Sequence, residues 1–88
     1  MRHAAKTDAN HAEICKALRQ IGVSVEYIKL PLDILICFRG HTALAELKIE
    51  GESLNKNQVE FISRWPGKVF LFRDPQEAVN EVIEWGKK

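Results

Sequence analysis

The sequence predicts an α/β domain with the element order αβββαβα, a mixed central sheet flanked by helices. Three observations predict it. Apolar residues recur at helical spacing near both ends and again between the third and fourth β-rich runs. Three β-rich runs follow one another from Val23 to Ile49, and the last two are joined by a tight turn at Arg39-Gly40-His41. The two central runs are apolar at almost every position, as strands covered on both faces are.

The elements follow in order. Asp8 to Gln20 has helical spacing, with Ala12, Cys15, Leu18 and Ile21 as its stripe and Thr7 or Asp8 as N-cap. Gly22 ends it as a left-handed C-terminal cap. Val23 to Ile28 is a strand in which Val23, Val25 and Tyr27 alternate with Ser24 and Glu26. Pro31 separates it from the second strand, about Asp33 to Phe38, and the third runs from about Thr42 to Ile49. Ser53 or Asn55 starts a second helix reaching about Arg64, with Val59, Phe61 and Ile62 as core contacts, and Trp65-Pro66-Gly67 stops it. Val69 to Phe72 is a short strand. Asp74 caps a last helix with Pro75 at its first position and Ala78, Val79, Val82 and Ile83 facing inward.

With 88 residues the chain is expected to be one domain, residues 1–88, large enough for a single core. No apolar run approaches a membrane span, and the polar, basic stretch from Met1 to Asn10 is unlike a signal peptide, so a cytoplasm is the expected compartment. Cys15 and Cys37 lack metal-site spacing and read as small core hydrophobes. His3, His11 and His41 lack zinc spacing too, and His41 reads as a polar loop residue. A net charge of +1 does not announce a nucleic-acid binder, so any DNA contact must come from a local patch.

The chemistry lies in the hairpin. If its loop is Arg39-Gly40, Phe38 pairs with His41 and Asp33 falls opposite Glu46; a three-residue loop leaves the two as diagonal neighbours. Glu46 and Lys48 are two apart on a strand and share a face. Two carboxylates and an ammonium therefore converge. Hard oxygens of this kind hold Mg²⁺, and a cation beside them positions or deprotonates an attacking water, as phosphodiester hydrolysis requires. An acid-x-Lys triplet alone means little, because a Glu and a Lys on one strand face commonly form a solvated edge. Here the acids sit inside otherwise apolar strands, where unpaired charge is costly.

Asp33, Glu46-Leu47-Lys48 and the αβββαβα order together resemble the PD-(D/E)XK nuclease superfamily, with its restriction-endonuclease-like core. The closer resemblance is to the virus-type replication-repair nucleases, the VRR-NUC group often carried by phages, and the layout is similar to that of archaeal Holliday-junction resolvases. Asp8-Ala9-Asn10-His11-Ala12-Glu13-Ile14 resembles the first-helix motif of that group, and Leu54-Asn55-Lys56-Asn57-Gln58 its Leu-Thr-x-x-Gln segment. Two positions depart from the pattern: Leu32 stands between Pro31 and Asp33, and Asn55 stands where the group has Thr.

The resemblance implies a Mg²⁺-dependent DNA endonuclease, with Mn²⁺ as a substitute, acting on branched or four-way-junction DNA in phage-type replication, recombination or repair. A phage-encoded protein would work in the bacterial host cell. Asp33 and Glu46 would hold the metal, with the Leu47 carbonyl as a third oxygen and Glu13 as a further ligand. Lys48 would orient or activate the water, and Gln58 would sit beside it. Arg2, Lys6, Asn10 and Lys56 are the DNA contacts expected, with Lys16 and Arg64 also able to ring the site. One site cuts one strand, so paired cuts imply a homodimer, with Phe70, Phe72 and Trp85 either at its interface or finishing the monomer core. Trp65 and Trp85 read as core anchors or an oligomer contact rather than as base-stacking groups. The alternative, from another class, is a catalytically silent nuclease-fold module that binds DNA or protein.

Overall fold

The computed structural model describes residues 2–88, with side chains described from Ala9 onward. The elements are α1 (Arg2–Gln20), β1 (Ser24–Tyr27), β2 (Ile34–Phe38), β3 (His41–Leu47), α2 (Lys56–Arg64), β4 (Val69–Phe72) and α3 (Pro75–Gly86). This is the expected order. The described strands form one mixed sheet in the order β1-β2-β3-β4, with β1, β2 and β3 antiparallel. β4 lies parallel to β3, and α2 makes the crossover that a parallel pair needs.

The hairpin turn sets the register. Arg39 and Gly40 both have positive φ, 52° and 84°, the backbone of a two-residue type I′ loop. Phe38 therefore pairs with His41, and the ladder runs on to Ile34 opposite Ala45. His41 thus opens a strand rather than sitting in the loop, and its ring lies 5.5 Å from that of Trp85.

The period of two sends alternate side chains to opposite faces. Val25, Ile34, Ile36, Ala43, Ala45, Phe70 and Phe72 face α1 and α3, where Ile14, Cys15, Leu18, Ala78 and Val82 complete the main core. The opposite face carries only the nine-residue α2, and Leu32, Leu44 and Phe61 make a smaller core beneath it. No helix among the described residues is long and apolar enough to cross a membrane.

Several sequence expectations change. The helical backbone begins at Arg2, six residues before Asp8, in a stretch rich in the good helix formers Ala, Lys and Arg. The stripe of α1 is Ile14, Cys15 and Leu18, while Ala12 is exposed, because the face towards the sheet is rotated by about one residue. Cys37 is exposed, since the face of β2 it occupies lies beyond the reach of the short α2. Val59 points to solvent from α2, Ile83 is partly exposed on α3, and Tyr27 is half exposed on the edge strand β1. Phe70 and Phe72 are 4% and 0% exposed, so they finish the monomer core and leave no surface for an interface. Trp85 packs edge-on against Phe70 at 5.2 Å and is a core anchor.

Candidate active site

The C-terminal end of β3 is built around the Asp33–Glu46 pair. The ladder register carries Asp33 to the position opposite Glu46, just beyond the last paired residues. The two residues then bond across the strands. Asp33 donates its backbone N–H to Glu46 Oε1 at 3.2 Å, and Leu47 donates its N–H to Asp33 Oδ2 at 2.8 Å. The loop before Asp33 is closed by Ile28 and Lys29, whose N–H groups both donate to the Asp33 carbonyl. Leu32, between Pro31 and Asp33, is buried with Leu44 and Phe61 and serves as a core plug.

Lys48 follows on the same face as Glu46. Its Nζ lies 3.7 Å from Glu46 Oε2, and its side chain is largely buried. The Lys48 backbone is held from several sides. Its N–H donates to the Phe72 carbonyl, and its own carbonyl accepts from Asn10 Nδ2. The next residue, Ile49, donates its N–H to Glu52 and accepts from the Arg73 guanidinium. The lysine therefore projects from a fixed strand end.

Gln58 reaches the cluster from α2. Asn55 caps that helix: its Oδ1 accepts from the Gln58 N–H, and the Asn55 N–H donates to Gln58 Oε1, both at 2.8 Å. This reciprocal capping box aims the remaining amide donor, Gln58 Nε2, at Glu46 Oε2, to which it donates. Asn is among the best N-caps.

Glu46 is 2% exposed, a buried acid on an otherwise apolar strand. Burial, then the Asp33 carboxylate, pushes its pKa from 4.5 up to about 7, and Lys48 pulls the other way. The sign follows directly. Between about pH 4.5 and 7 the folded chain holds a proton that the unfolded chain has released, so stability falls as pH rises through that window and levels off above it. We expect the metal-free melting temperature to drop between about pH 5 and about pH 7.5, and Glu46→Gln to flatten the drop. An unchanged slope in Glu46→Gln would assign the effect to other groups.

The remaining site residues fall differently. Glu13 is exposed on α1 and makes no hydrogen bond or ion pair among the described residues. Leu47 is buried, and its carbonyl accepts from His11 Nε2 at 3.0 Å, which requires the proton on Nε2. His11 was not expected here. Its spacing, one turn before Ile14, was the available signal. Asn10 donates to the carbonyls of Lys48 and Arg73 and so ties α1 to the ends of β3 and β4; both amide donors expected for DNA are engaged there. Lys56 and Lys16 are exposed. The side chains of Arg2 and Lys6 lie outside the described ones.

Trp65 is the other departure. It is 44% exposed, stacked on Phe61 with ring centroids 5.2 Å apart, and is not a core anchor.

Comparison of the chain with protein-family models, with curated proteins and with solved structures finds no match.

Proposed function

We propose that the protein is a divalent-metal-dependent DNA endonuclease of the PD-(D/E)XK type, in the VRR-NUC group, acting on branched DNA. The observation that carries the reading is the buried Glu46 carboxylate bonded across the sheet to Asp33, with the Lys48 ammonium 3.7 Å away on the same face.

The donor set fits Mg²⁺ or Mn²⁺. Asp33, Glu46 and the Leu47 carbonyl are hard oxygens, the ligand type these ions take. Among the described residues no three His, Cys, Asp or Glu side chains gather to hold a metal; Asp33 and Glu46 would supply two oxygen ligands and the Leu47 carbonyl a third. The Leu47 carbonyl has two lone pairs, and His11 takes one. A bound divalent ion supplies charge stabilisation and an activated water.

The chain's own residues do the rest. Gln58 and the Asp33 N–H fix both oxygens of Glu46. His11 holds the Leu47 carbonyl and Asp33 the Leu47 N–H, fixing the two peptide groups that flank this residue. Lys48, held at the strand end, places an ammonium where it can orient a water and balance developing phosphate charge. So small a domain recognises phosphates and DNA shape rather than base sequence. Paired cuts take two copies of the chain.

One observation favours a second reading, a silent nuclease-fold module. Both Glu46 oxygens already accept hydrogen bonds from the protein, so the cluster is satisfied without a metal. Incubation with duplex, flap and four-way-junction DNA in Mg²⁺, Mn²⁺ or EDTA separates the two. The nuclease reading expects cutting in either metal, fastest on the branched substrates, and none in EDTA. DNA bound but uncut in both metals would favour the silent module. Light scattering on the same samples reads the oligomeric state.

A further inference from the structure

The face of the sheet that α2 only partly covers carries a groove that the metal site does not use. It has two adjoining parts. The nearer, of about 330 Å³, lies between the Lys29–Pro31 loop and α2, and its walls include Gln58, Asn57 and Arg64. Gln58 is the residue that donates to Glu46, so one wall of this part is in direct contact with the carboxylate cluster. The farther part, of about 440 Å³, is lined by Leu35, Leu44, Phe61, Trp65 and Lys68. Pro31 and Phe61 belong to both. The groove thus runs from Gln58, the hydrogen-bond partner of Glu46, through a polar stretch to an apolar end.

Its chemistry is ordered like a nucleotide. Lys29, Arg64 and Lys68 line it against one acid, Glu60, which suits a polyanionic backbone. The apolar end presents an aromatic surface. Stacking on Phe61 uses one face of the Trp65 indole, and the residue as a whole is 44% exposed. Gly67 lies against this indole: a Cβ there would come within 2.8 Å of the ring nitrogen. Paired bases keep their π-faces inside the helical stack and show the grooves only their edges. A base inside a duplex must therefore be unpaired, or its helix kinked open, before its face can stack on a protein aromatic.

We propose that this groove takes an unpaired nucleotide of a DNA branch, its base stacked on Trp65 and its phosphates at Lys29 and Arg64. The identity of the ligand as DNA rests on the nuclease reading. The groove would then select branched DNA by holding the single strand beside the cut.

The test is binding in EDTA, where cleavage plays no part, so failure of the metal site leaves it intact. The probes are a short oligothymidylate and a blunt duplex. The oligothymidylate should quench tryptophan emission in the parent, and Trp65→Leu should abolish that quenching while the Trp85 emission remains. Trp65→Leu should weaken oligothymidylate binding about tenfold, the scale of one lost base stack, and duplex binding by less than about twofold. Gly67→Ala keeps the tryptophan but displaces the ring, and should give the same selective loss. It also decides the matter if Trp65→Leu fails to fold. Equal losses on both DNAs, no loss in either variant, or a dimer that Trp65→Leu dissociates would overturn the proposal.

Discussion

Glu46→Ala and Asp33→Ala proteins are expected to lose metal-dependent DNA cleavage, by about three orders of magnitude or more, and to remain folded. The two carboxylates supply both charged oxygens of the set, and the Leu47 carbonyl alone cannot hold a hard dication. The structural cost has two opposing parts. Glu46→Ala leaves the Asp33 N–H and the Gln58 amide without an acceptor, each worth about 1–3 kcal/mol if no water replaces it. It also removes a buried carboxylate that Asp33 repels. Affinity for DNA should hold or rise, because a negative charge facing phosphate is gone. Glu46→Gln is the companion variant, since it keeps the volume. A Glu46→Ala protein that cuts in Mg²⁺ at the parent rate would remove Glu46 from the chemistry.

Lys48→Ala is expected to lower the cleavage rate by about two orders of magnitude or more while changing DNA affinity little. Lys48 is one positive charge, but it lies 3.7 Å from Glu46 on a strand end pinned by Phe72, Asn10 and, through Ile49, Arg73. Such a group acts on the reacting phosphate rather than on the long backbone that supplies binding. Lys48→Arg should restore only part of the rate, because the planar guanidinium is larger and does not give up its proton. Single-turnover kinetics at saturating protein separates rate from binding. A Lys48→Ala protein that cuts as fast as the parent would reduce Lys48 to a structural counter-charge of Glu46.

What could be read beforehand was local. Arg39-Gly40 left two loop lengths open, and positive φ at both residues selects the shorter one, which carries Asp33 opposite Glu46. Asn55 and Gln58 are three apart at a helix start, a spacing whose capping meaning needs no tertiary knowledge. Asp74-Pro75 behaves in the same way, with Asp74 accepting from the Glu77 N–H. The misses depend on distant neighbours. His11 meets Leu47 and Asn10 meets Arg73 across long stretches of chain, through side chains bonding to backbone, which leaves no periodic trace. Ala12 and Ile14 could each begin an apolar stripe on α1, and only docking on the sheet chooses between them. For Phe72 the sequence leaves interface and monomer core open, and the closure of α1 and α3 over it selects the core. Trp65 errs in the other direction: α2 is too short to cover its sheet face, so an aromatic at the helix end stays in solvent.

The central claim is that the Asp33–Glu46–Lys48 cluster hydrolyses DNA with a divalent metal. Nicking of supercoiled plasmid by the parent and by Glu46→Ala, purified in parallel and assayed in Mg²⁺ and in EDTA, tests it most directly. Nicking by the parent in Mg²⁺ alone, with none from Glu46→Ala in either condition, is the predicted result. Equal nicking by both proteins, or no nicking by a folded parent that binds the plasmid, would contradict it.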